Sequence, residues 1–231
     1  MAARTVTGMS LWGGAARLAL AAMLTPRPAQ ALLILVAAVP LLGHAESSLQ
    51  SGAASPLRAT AHLDFLITIP KFLFLRVGTG TGTAAGGWGT NGKIDLISLA
   101  PAAAKVGNGV AVAGTGGDLG GGVETAVVVA NHGNVTLSST TLGKLNDGVG
   151  DTISYATIKT AASKLTTAQV LPAPALADGA TTSVVVAAAA KIVRRDAKWT
   201  YTYTNATLPP QGTYGGVNTN NGRVTYTASV P

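Results

Sequence analysis

The sequence predicts an all-β chain, folded as an antiparallel β-sandwich with long Gly-rich loops. Three observations carry this. Several short segments alternate apolar and polar residues with period two. Gly, Asn and Pro clusters punctuate them. No segment sustains a helical period. About eight short strands with turn signals between them fit a sandwich. There is no fixed-period internal repeat.

The strands read as follows. Ala59–Ile69 (ATAHLDFLITI) puts Ala61, Leu63, Phe65, Ile67 and Ile69 on one face and His62, Asp64 and Thr68 on the other, with Leu66 as the exception. Pro70 ends it, and Lys71–Val77 (KFLFLRV) follows as a second strand or a continuation past a kink. Gly78–Gly92 is a Gly/Thr loop around Trp88. Asn91-Gly92 signals a turn before the strand Lys93–Leu99. After the Gly-rich Gly107–Gly122, Val123–Ala130 and Asn134–Ser139 read as a hairpin across Asn131-His132-Gly133.

Asp151–Thr160 holds another strand, and Leu171–Gly179 is a Pro-punctuated loop. Thr181–Arg195 begins β-like and reads as strand, with helix through its alanines as the alternative. In Lys198–Asn205, Trp199, Tyr201 and Tyr203 alternate with threonines. In Gly222–Val230, Val224, Tyr226, Ala228 and Val230 share a face. The aromatic strand reads as core on one side, because a chain with eleven aromatics needs its large residues inside. A ligand-stacking surface is the alternative.

The N-terminus reads as an export signal. Gln30–Leu42 is apolar, Arg27 precedes it, and Gly43-His44-Ala45 places small residues at −3 and −1. Thirteen helical residues rise about 20 Å, short of the roughly 30 Å hydrocarbon core. Residues 1–45 are thus expected to be a cleaved signal peptide, with the true start at Met23 or a genuine extension through Leu11–Leu24. The product is Glu46–Pro231, found in the periplasm, at the cell surface or outside the cell. It divides into a flexible extension, 46–59, and a β domain, 60–231. Removing Arg4, Arg17 and Arg27 leaves thirteen basic and nine acidic residues, a net charge of +4. The basic residues are scattered and make no phosphate-tracking stripe, so no nucleic-acid partner is expected. No later apolar run spans a membrane.

The candidate chemistry is sparse. Absence of cysteine excludes a disulfide framework and thiolate metal sites. His62 and His132 read as surface residues. No G-x-S-x-G, H-E-x-x-H or paired-histidine spacing occurs. Gly80–Ala85 matches G-x-G-x-x-A, but Gly86-Gly87-Trp88-Gly89 is poor material for the helix a dinucleotide needs. Gly116–Gly122 carries one carboxylate, too few for a Gly/Asp calcium repeat, and reads as a mobile loop. Asn134-Val135-Thr136 and Asn205-Ala206-Thr207 match the glycosylation pattern and read as chance. No enzyme activity, cofactor or metal is expected.

The C-terminus, Gly212-Thr213-Tyr214 followed by Gly222-Arg223-Val224-Thr225-Tyr226-Thr227-Ala228-Ser229-Val230-Pro231, resembles that of secreted bacterial Ig-like sandwich subunits. The groups are chaperone–usher fimbrial subunits and spore coat U-like proteins. Ala61–Arg76 is similar to their first strands. The resemblance implies a sandwich lacking one strand, whose groove is filled by a periplasmic chaperone and then by the N-terminal extension of another copy. It implies a non-catalytic structural subunit of a fimbria-like or surface-coat assembly. The matching extension is Glu46–Thr60, where Leu49, Ala53, Leu57 and Ala59 share a parity with Ser47, Ser51 and Ser55. The cysteine pair common in many such subunits is missing. The alternative is a self-contained secreted carbohydrate- or surface-binding module using Trp88 or the Trp199-Tyr201-Tyr203 face.

Overall fold

The computed structural model describes residues 47–53, 56–80 and 88–231. The signal segment and its cleavage point before Glu46 lie outside these, as do Thr81–Ala85 of the G-x-G-x-x-A match. The chain divides into two units, Met1–Ile67 and Thr68–Pro231.

In the first unit the described residues form no strand or helix and are exposed throughout. Within it the Arg58 backbone N–H donates to the Gln50 side-chain oxygen at 3.4 Å. The strand expected over Ala59–Ile69 does not form. Leu63, Phe65 and Ile67 are 70%, 85% and 82% exposed, and Ile69, in the second unit, 76%. Alternation marks which side chains share a face; it does not supply the surface that face must meet.

The second unit is nearly all β, with twelve strands among the described residues. The larger sheet contains β1 (Leu73–Val77), β3 (Val112–Ala113), β5 (Val123–Ala130), β9 (Ile158–Ser163) and β11 (Val193–Tyr203). The smaller contains β6 (Val135–Thr141), β10 (Thr181–Val186) and β12 (Val224–Ser229). Two-residue pairs, β2 (Ile97–Ser98) with β4 (Thr115–Gly116) and β7 (Leu145–Asn146) with β8 (Thr152–Ile153), brace the loops. All these pairings are antiparallel. Among the described residues no helix is long and apolar enough to cross a membrane.

β11 organises the larger sheet. β5 pairs along Val193–Thr200. β9 pairs along Lys198–Tyr203. Lys198–Thr200 pair with both, so the two neighbours occupy opposite edges. β1 completes the order beyond β5.

The expected hairpin of Val123–Ala130 with Asn134–Ser139 is corrected here. Both segments are strands, but β5 joins the larger sheet and β6 the smaller. β5 is covered on both faces: Val127 and Val129 are buried, as are Ala126, Val128 and Ala130. β6 alternates Val135, Leu137, Ser139 and Thr141, all buried, with more open Thr136, Ser138 and Thr140. A strand covered on both faces and a strand with one solvated face belong in different sheets. The polar groups of the connection are used elsewhere. Asn131 Oδ1 accepts from Phe72 N–H at 2.9 Å, and its Nδ2 donates to the Pro70 carbonyl at 2.8 Å. Asn134 Oδ1 accepts from Ala188 N–H at 2.9 Å.

Thr181–Arg195 is strand, as the main reading held, but it is two strands. Ala190 and Lys191 take positive φ of 49° and 67°, and the Ala189–Ile192 turn passes the chain from β10 to β11 and so between sheets. The strand expected over Lys93–Leu99 shrinks to β2. That expected over Asp151–Thr160 becomes β8 and β9 around a 3-10 turn at Tyr155–Thr157.

One core joins the sheets. Ala126, Val128, Ala130, Val193, Ala197, Trp199 and Tyr201 enter it from the larger, and Val135, Leu137 and Val186 from the smaller. The Pro-punctuated loop adds Leu171 and Leu176. Its carbonyl at Leu171 accepts from Trp199 Nε1 at 3.0 Å, which satisfies the indole N–H in full burial. Asp196 is also buried. Burial works to raise its pKa, but bonds from Thr167 and Thr166 outweigh this and hold the carboxyl below its ordinary range.

Candidate assembly surface

β1 and β12 are both edge strands. Among the described residues β1 pairs only with β5, and β12 only with β6. They lie beside each other without pairing. Lys71 Nζ donates to the Pro231 carbonyl at 2.7 Å, which sets the start of β1 against the end of β12. The strands therefore run in opposed directions along an unpaired seam.

The seam is apolar and incompletely covered. Leu73, Leu75 and Val77 on one side, and Val224, Tyr226, Ala228 and Val230 on the other, pack against the core yet remain half-buried. Their neighbours one strand inward, Val135 and Leu137, are fully buried. Thr225, Thr227 and Ser229 are exposed on the opposite face of β12. That solvent face continues through Thr136, Ser138 and Thr140 to Thr181, Ser183 and Val185 without a charge.

Tyr226 anchors β12. Its ring centroid lies 5.3 Å from that of Trp199, and its hydroxyl is 2.9 Å from the Tyr201 hydroxyl. Part of the residue meets solvent, but the phenol end is enclosed. Burial pushes its pKa up to about 12, against a lowering bond from Tyr201. Tyr201 is raised further, by burial first. Tyr155 is buried, donates to the Asn221 carbonyl at 2.6 Å, and is pushed by burial up to about 12. These phenols act as neutral hydrogen-bonding core groups.

The other sequence-derived candidates fall in three places. Leu49, Ala53, Leu57 and Ala59 are exposed and in no strand. Trp199, Tyr201 and Tyr203 are buried in the sheet and offer no stacking platform. Trp88 is half-exposed and lies on the outer face of β1, with ring centroids 4.9 Å from Phe74 and 6.1 Å from Phe72. His132 is exposed in its turn. Asn205, in the second glycosylation match, is fully buried at a φ of 52°. It accepts from Gly107 N–H at 2.8 Å and donates to the Lys105 carbonyl at 2.8 Å, so it pins a loop and is closed to modification. In Gly116–Gly122, Asp118 is held by Thr125 N–H at 2.7 Å and Arg76 Nη2 at 3.3 Å. Among the described residues no group of three or more His, Asp or Glu is arranged to hold a metal ion.

Sequence reasoning missed the Asn131 clamp and the pairing of Glu124 with two aspartates. Asn131 lies tens of residues from Pro70 and Phe72, as Glu124 does from Asp95, and Asp118, only six residues from Glu124, sits in a Gly-rich stretch with no pattern that marks it as a partner. Comparison of the chain with known protein families, curated proteins and solved structures finds no match.

Proposed function

We propose that this chain is a non-catalytic structural subunit of an exported, fimbria-like or surface-coat assembly. Its two sheets are read as an incomplete Ig-like sandwich, and copies join by β-strand addition. The observation that carries this is a pair of complementary features. The seam between β1 and β12 exposes an unpaired strand edge over a row of half-buried apolar side chains. The segment Ala61–Ile69 offers the opposite: an alternating apolar row, exposed and in no strand. Neither is a stable end state for a solitary chain in water. Soluble proteins protect such edges, and large exposed apolar rows mark interaction sites.

The donor is Ala61–Ile69 rather than Glu46–Thr60. Leu63, Phe65, Ile67 and Ile69 are large enough to fill pockets, whereas Leu49, Ala53, Leu57 and Ala59 alternate with serines on the same parity. Nine strand residues extend about 30 Å, enough to run the length of six-residue β12. Burying four such side chains contributes about 6–12 kcal/mol before ordering costs, against roughly 4–15 kcal/mol for association. Main-chain pairing to the β12 edge then decides the balance. The clamp of Asn131 on Pro70 and Phe72 fixes the base from which this segment starts. A periplasmic chaperone covering the same seam before assembly fits the same chemistry.

The test is sedimentation and electron microscopy of the exported protein, with and without Phe65→Asp/Ile67→Asp. The wild type is expected to form filaments or oligomers and the variant to remain a folded monomer. A second variant carries a copy of residues 59–70 on a flexible linker after Pro231, and is expected to be a closed monomer of raised stability. A wild type that is monomeric at high concentration, with a C-terminal copy that leaves stability unchanged, would overturn the reading.

A further inference from the structure

The end of β1 holds three carboxyl groups in a small space. Glu124 faces inward on β5, on the parity of Ala126 and Val128, and is only 5% exposed. Its carboxyl lies beside Asp95 across Gly78 and accepts from the Asp118 backbone N–H. Gly78, at a φ of +81°, makes room: a Cβ there would stand 2.5 Å from Asp95 Oδ2 and 2.7 Å from Glu124 Oε2. Carboxyl groups brought together out of water repel one another unless one of them carries a proton.

The distribution of donors shows which one. Asp95 accepts from Thr79 N–H and from Thr79 Oγ1 at 2.8 Å, and Lys93 lies near it. Asp118 accepts from Thr125 N–H and faces Arg76. Glu124, the most buried, receives one long backbone bond, 3.3 Å from Asp118 N–H. From the core side Tyr201 of β11 and Tyr226 of β12 face it as neutral phenols. We propose that Glu124, buried at the end of β1 with one long backbone donor, carries a proton that latches the segments bearing Asp95 and Asp118 in place, so that raising the pH loosens this end of the larger sheet.

The electrostatics agree with the geometry. Burial first, and then Asp95 and Asp118, push Glu124 up from 4.5 to about 7, although the Asp118 N–H works the other way. With the latch open, Glu124 meets water and titrates in its ordinary range. Between about pH 4.5 and 7 the closed form therefore holds one more proton than the open form. Opening becomes easier by up to about tenfold per pH unit in that window and levels off above it.

The readout is Thr79, whose N–H donates to Asp95. Carbon-13 NMR of the Glu124 carboxyl, with hydrogen exchange of the Thr79 amide from pH 5 to 8, tests the latch on the full exported protein. Glu124 is expected to titrate near pH 7. Thr79 protection, relative to intrinsic exchange, is expected to fall steeply up to pH 7 and then level. In Glu124→Gln, whose amide donates to a carboxylate at any pH, Thr79 protection should be flat. A Glu124 titration in the ordinary carboxyl range, read on the wild type without any variant, would overturn the proposal. So would Thr79 protection independent of pH in the wild type, or one falling equally in Glu124→Gln.

Discussion

Tyr226→Ala tests whether the terminal strand holds the two sheets together. The side chain is half-buried, so truncation loses about half of the 3–5 kcal/mol typical of a fully buried aromatic, roughly 2 kcal/mol. It also removes the 2.9 Å partner of the Tyr201 hydroxyl, a buried group. A buried polar group left alone costs about 1–3 kcal/mol more. The expected loss is thus about 3–5 kcal/mol, a large share of a typical stability of roughly 5–15 kcal/mol. Tyr226→Phe removes only the hydroxyl and should cost about 1–3 kcal/mol. Thr225→Ala, exposed on the other face, should cost under about 0.5 kcal/mol. Urea unfolding followed by far-UV circular dichroism measures all three. Equal losses at 225 and 226, or a harmless Tyr226→Ala, would show that this face of β12 does not seal the core.

Other outcomes follow from the same contacts. Gly122→Ala should cost more than about 2 kcal/mol in the same assay. Gly122 has a φ of +73°, and a Cβ would lie 2.6 Å from the Gly114 Cα, backbone that cannot swing aside. Asn131→Ala removes both bonds to the Pro70–Phe72 backbone and should lower stability by about 1–3 kcal/mol, with faster amide exchange at Phe72. Stability itself should depend on Glu124. A carboxyl titrating near 7 folded and near 4.5 unfolded costs about 3 kcal/mol above pH 7 relative to below pH 4.5. Glu124→Gln should therefore be the more stable form at pH 8, and a wild type equally stable from pH 5 to 8 would contradict this. N-terminal sequencing of the exported protein is expected to begin at Glu46.

Much of the β structure was legible in the chain. Val224, Tyr226, Ala228 and Val230 share the inward face the alternation assigns them, and Thr225 and Thr227 the outward one. Trp199, Tyr201 and Tyr203 likewise alternate with their threonines along β11. Period two is a property of the strand backbone, so any strand that is half-covered writes it into the sequence. It does not say what does the covering. Ala61–Ile69 alternates too, apart from Leu66, and yet lies open. Val123–Ala130 and Asn134–Ser139 flank a turn and yet enter different sheets. Only tertiary structure decided these, because sheet membership depends on which distant edge each strand meets. The same holds for the carboxyl cluster. Asp95, Asp118 and Glu124 are unremarkable acids in sequence; folding removes water from one of them and sets the other two against it, and that juxtaposition alone gives the proton a place to stay.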